Sequence, residues 1–217
     1  MVENNPSLSQ SSDLKKRIIF TIFILSIYRF GTYVPIPGID PMALQEIMST
    51  NQKGLIGMFN VFAGGAISRM AIFALGIMPY ISSSIIIQLL TGVSDYFKNL
   101  KNQGELGRRK ITQYTRYGTV ILATIQGLGV AVGLENSTGV VINPGFYFKF
   151  STVITIVTGT MFLMWLGEQI TQRGIGNGIS LIIFSGIVAE IPRALAATFE
   201  LGRTGALSST TIILIIF

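Results

Sequence analysis

The chain contains no cysteine and no histidine, and charged residues fill only 12% of its 217 positions. Without cysteine there is no disulfide framework and no thiolate metal site. Without histidine, the commonest metal ligand and general base is missing too. RGIGNG at 173–178 lacks the Gly-Lys-Ser/Thr and the βαβ setting of a phosphate loop, so nucleotide binding is set aside. Gly178-Ile179-Ser180 has no histidine to activate a serine nucleophile. The sequence offers no catalytic residues, no cofactor site and no metal site, and an enzyme is not expected.

What the chain does have is apolar length. Hydrophobic residues make up 49% of it, and the mean hydropathy is +0.59. That composition belongs to an all-α polytopic membrane protein. A hydrocarbon core about 30 Å thick needs roughly 20 apolar residues per helix. Spans are expected near 18–34, 71–91, 117–134, 147–167 and 179–198. Ser208–Phe217 is apolar but too short to span, and reads as the truncated start of a sixth helix. Residues 1–16 form a polar tail, and Lys15, Lys16 and Arg17 lead into an uncleaved signal-anchor helix stopped by PIPG at 35–38. Residues 39–56 read as an outer, partly helical loop and 92–116 as a basic loop.

The net charge of +6 fits basic cytoplasmic loops better than nucleic-acid binding. The tail, loop 92–116 and turn 168–178 hold ten lysines and arginines, against five on the opposite side. That asymmetry puts the N-terminus in the cytoplasm.

Phe59–Leu90 is the most unusual stretch, because a short amphipathic piece with Gly64, Gly65 and Arg69 feeds directly into an uncharged span. Several features allow two readings. Arg29 lies inside the first span, where a cation costs about 2.5–3.5 kcal/mol; it either snorkels or pairs within the protein, or it faces an interior cavity. Gly129 and Gly133 form a GxxxG of the kind that packs helices, and Gly174 and Gly178 repeat the spacing. Ile77 and Ile81 share a helix face, as do Ile179 and Ile183. Periodicity alone makes them packing or lipid-facing aliphatics; a ring of them would form an apolar constriction. The cations of loop 92–116 serve either topology and lipid headgroups or a docking surface for a cytoplasmic partner. A secondary transporter would place ionisable groups at its helix breaks, whereas Ile77 and Ile81 have only Ser82, Ser83 and Ser84 beside them.

PIPGID at 35–40, FNVFAGGAISR with IFALGIMPYISSSIIIQLL, GELGRRKITQYTRYGT at 104–119, VINPGF at 141–146 and GTMFLMWLGEQITQRGIGNGISLIIFSGIVA at 159–189 closely resemble the bacterial SecY family. These are channel subunits of the Sec protein translocase, and the resemblance runs from about Lys15 onward. It implies ten helices in two pseudo-symmetric halves. Residues 17–217 would be the N-terminal half-channel, with five transmembrane helices, a short plug helix and a truncated sixth helix.

The resemblance also implies roles. A plug at about 55–70 would carry Phe62, Gly64, Gly65 and Arg69, its two glycines giving the backbone freedom to move. Ile77, Ile81, Ile179 and Ile183 would belong to the pore ring, and Ser82, Ile85 and Gln88 to the lateral gate. Pro79 would remove a donor inside the second helix. Arg108, Arg109, Lys110 and Arg116 would contact cytoplasmic partners. The implied partners are the SecE and SecG subunits, the SecA motor ATPase, the ribosome, signal peptides and nascent chains, membrane lipid, and the C-terminal half of the same protein. The implied location is the bacterial inner membrane.

Overall fold

The computed structural model of the chain describes residues 6–51, 60–137 and 139–204. Seven α-helices lie within them: α1 (Pro6–Gly31), α2 (Pro41–Asn51), α3 (Met78–Val93), α4 (Asp95–Asn102), α5 (Glu105–Glu135), α6 (Phe146–Arg173) and α7 (Gly178–Arg203). Among the described residues the β pairing is two isolated bridges, Pro35 with Ala71 and Ile39 with Val141. The expected start of a sixth helix lies outside the described residues.

Among the described residues, three helices are long and apolar enough to cross a membrane: Glu105–Glu135, Phe146–Arg173 and Gly178–Glu200. They form a row in which α5 packs along α6 and α6 along α7. On this row α3 lies against α5, and α1 against α6 and α7. Asp40 starts α2 by accepting from the Met42 and Ala43 amides at 2.8 and 3.4 Å, and Asn177 starts α7 by accepting from Ile179 and Ser180 at 3.0 and 3.3 Å.

The second expected span is corrected at its start. Residues 71–77 are not α-helical but a run of turns, and α3 begins only at Met78. Pro79 therefore sits in the first turn of α3, where its missing N–H has no partner to lose, rather than in the helix interior. Non-helical backbone in an apolar setting survives only where protein covers it. Here Ala71, Phe73, Ala74 and Ile77 are all buried. The Ile72 amide donates to the Val34 carbonyl at 2.9 Å, and the Phe73 ring lies directly over Gly31 of α1.

The basic stretch 92–116 is also not a loop. Its first part is the amphipathic helix α4, which turns inward through buried Leu100. From Glu105 onward it is already α5. Gly104, at φ +67°, makes the break between them. Tyr96, Phe97 and Tyr114 pin α4 to α5, with Phe97 edge-on to both rings at 5.4 Å.

Two apolar cores result. One joins α1, α6 and α7 through Tyr28, Phe73, Leu163, Leu166, Ile170 and Ile182. The other lies toward the opposite end, around Ile36, Leu44, Leu134, Val140, Phe148 and Ile156. Turn 174–177 meets α1 where the Ile175 amide donates to Thr21 Oγ1 at 3.2 Å. Lys149 pairs with Glu135 at the other end of the row, at 2.6 Å. The most basic segments thus gather at one end.

Candidate functional site

The site centres on residues 60–77, threaded between α1 and α7. Residues 60–62 are helical and 63–70 are turns, while 55–59 of the expected plug lie outside the described residues. Gly64 and Gly65 adopt φ +62° and +78°, a left-handed pair that side chains resist. They also let two backbones touch. A Cβ on Gly64 would stand 3.1 Å from Gly186 Cα on α7, and one on Gly186 would stand 3.0 Å from the Phe62 carbonyl. In this structure the glycines serve a tight turn and a close approach.

Two guanidinium groups converge on this turn. Arg29 Nη1 donates to the Gly64 carbonyl at 2.8 Å, and Arg69 Nη2 donates to the same oxygen at 3.1 Å. Arg69 Nε also donates to the Thr32 carbonyl at 3.3 Å. Both cations face the Tyr33 ring, Arg29 at 5.5 Å and Arg69 at 4.3 Å from its centre. Arg29 is thus paired inside the protein.

An apolar cavity of about 800 Å³ opens beside the turn. Phe62, Ile67, Ile77, Ile81 and Ile183 line it, with Leu44, Val130 and Leu134 toward α2 and α5. Three of the four expected ring isoleucines thus line the same cavity as Phe62. Ile179 is not among the lining residues; it packs at Gly167 of α6, about one turn before Ile183.

The profile of the SecY family matches residues 71–217. The chain belongs to the SecY family. It is 58% identical over 211 residues to the protein translocase subunit SecY of Rickettsia bellii strain RML369-C, covering 95% of this chain and 49% of that protein. With the SecY of Escherichia coli strain K12 it shares 57% identity over 206 residues, covering 94% and 46%. The chain therefore spans about half the length of the curated relatives it matches. Its fold is that of a solved protein-conducting channel, at 21% identity and TM-score 0.56, covering 87% of this chain and 38% of that one. Sec61 in the canine ribosome-channel complex from the endoplasmic reticulum gives the same values. This is an integral membrane protein.

The remaining residues expected from SecY resemblance fall in two places. Ser82, Ile85 and Gln88 recur every three residues along one side of α3. Ile85 and Gln88 are exposed and Ser82 half-buried, and Gln88 Nε2 donates to Ser84 Oγ at 3.2 Å. Arg108, Arg109 and Lys110 are exposed on the first turns of α5. Arg116 is set apart from them, held by Glu168 of α6.

Glu168, Tyr33 and Gly186 escaped the sequence reading. A cation inside an apolar span, Arg29, signals that some acceptor must exist. Nothing in spacing says that the acceptor is a carbonyl 35 positions later. A methyl at Gly129 or Gly133 would meet nothing within 4 Å; close packing falls on Gly159 and Gly167 and on the second pair, Gly174 and Gly178.

Proposed function

We propose that the chain forms one half of the wall of a protein-conducting channel, and that unfolded secretory proteins cross the bacterial inner membrane through it. The pore is passive: an apolar constriction yields to a passing chain without binding it, and sheds water between events. Ile77, Ile81, Ile179 and Ile183 contribute to that constriction. Residues 60–69 seal it, with Phe62 over the cavity and Arg69 at the base. The face of Ser82, Ile85 and Gln88 is one edge of a lateral exit for signal peptides and membrane segments into lipid. One observation carries this reading: Ile77, Ile81 and Ile183, from two separate segments, line a single apolar cavity with Phe62.

The N-terminus is cytoplasmic in this reading, since the basic segments share one end. Arg108, Arg109 and Lys110 face the cytoplasmic machinery, the SecA motor or the ribosome. SecE, SecG and a C-terminal half complete the channel. No chemistry is assigned to the chain itself; its partners drive transport.

Site-specific photo-crosslinking tests the proposal. A crosslinker at Ile81 or Ile183 of the complete channel should capture an arrested secretory chain. One at Ile125, exposed on the outer side of α5, should capture lipid only. Equal capture at all three positions would remove the isoleucines from the path.

A further inference from the structure

We infer that Arg29 is the fixed post that holds residues 60–69 in the closed position, through its hydrogen bond to the Gly64 carbonyl. This rests on reading those residues as a movable seal. Arg29 belongs to α1, part of the wall, and reaches across 35 positions to an oxygen of the segment. Arg69 donates to the same oxygen, but from only five positions away, so that contact can travel with the segment. When the segment leaves, the Arg29 bond must break, together with the Arg69 Nε bond to the Thr32 carbonyl beside the hinge.

The anchoring around it is uneven. At the far end, the backbone is stitched to the chain after α1: the Ile36 amide donates to Met70 and the Ile72 amide to Val34, both at 2.9 Å. Near Gly64, among the described residues, the attachment is the Arg29 bond and the close packing of Gly64 and Gly65 against Tyr28, Gly186 and Glu190. The segment therefore has a hinge at 70–72 and a catch at Gly64. Two like charges share one carbonyl and one ring, and Tyr33 and the Glu190 carboxylate, which lies beside Gly65 and Arg69, offset their repulsion. Such a catch is worth one charge-assisted hydrogen bond, about tenfold in the ratio of closed to open channels, weak enough to yield when a chain arrives.

The test uses the complete channel in planar bilayers. Arg29→Gln should raise resting ion conductance about tenfold, with Arg29→Lys between it and the parent. A tether separates release of the seal from misfolding. A Cβ on Gly76 would lie 3.9 Å from the Ala63 Cβ, within disulfide reach, and an oxidised cysteine pair there in the parental background controls for the strain of a side chain at φ +57°. Ala63→Cys with Gly76→Cys, oxidised in the Arg29→Gln background, should return the leak to the parental level. A leak that persists under the tether overturns the catch. Deletion of 60–69 gives the control: leak on deletion but none with Arg29→Gln sinks the role of Arg29 alone, whereas no leak on deletion sinks the seal and the catch together.

Discussion

Arg116 of α5 and Glu168 of α6 meet through two parallel hydrogen bonds, Nε to Oε1 at 3.1 Å and Nη2 to Oε2 at 2.6 Å. The pair spans the most extensive helix contact in the fold, that of α5 with α6. Such two-pronged geometry fixes both distance and rotation between helices. Glu168 is mostly buried, whereas the Arg116 side chain keeps 43% of its exposure. The guanidinium holds a neighbouring helix and keeps an exposed side, on which the partner contact implied by the family resemblance stands as a proposal.

Glu168→Gln should lower the thermal midpoint in detergent, with a coupling to Arg116→Gln of about 1 kcal/mol in a double-mutant cycle, the exposed arginine limiting the gain. Additive effects of the two substitutions would show that the pair contributes nothing.

Arg108 and Arg109 should behave differently. Reversing both charges leaves helix packing intact, because both side chains are exposed. Motor or ribosome docking should weaken, along with its salt dependence, at unchanged melting temperature. Normal docking in a binding assay would leave these residues as topology signals.

Two glycines make a matched contrast. A methyl at Gly159 would run into the Ile72 carbonyl, which the buried 71–77 turn cannot move, whereas one at Gly129 meets open space. Gly159→Ala should destabilise the chain by about 1–3 kcal/mol. Gly129→Ala should gain up to about 1 kcal/mol of helix propensity. Denaturation in detergent ranks them; equal effects would contradict the close approach of α6 to the turn.

Topology can be read by labelling. Leu106→Cys, at a 70% exposed position opening α5, should react with a membrane-impermeant maleimide from the cytoplasmic side. Tyr147→Cys, at an 84% exposed position opening α6, should react from the outer side. Labelling of both from one side would break the assigned orientation.

Hydropathy made the long helices legible, because α5, α6 and α7 each contain a long apolar run. It misplaced the start of α3, since 71–77 is as apolar as a span but is bent by Gly76 at φ +57° and kept from lipid by the surrounding protein. Polarity likewise suggested a loop at 92–116, where α4 and the start of α5 are helices exposed on one face. The ring isoleucines were indistinguishable from packing residues by period alone. They separate only in three dimensions, where Ile81 of α3 and Ile183 of α7, about a hundred positions apart, line one cavity. Arg29 was visible as an anomaly, but its partner was not: the acceptor is a backbone oxygen, and carbonyls carry no sequence signature.

The most direct measurement is resting ion conductance of the complete channel carrying Ile81→Asn, Ile183→Asn or both. An amide in the constriction holds water that isoleucine sheds. Each substitution should raise the conductance, and the pair should raise it further. Conductance at the parental level in all three, with protein transport preserved, would mean that these isoleucines do not form the seal.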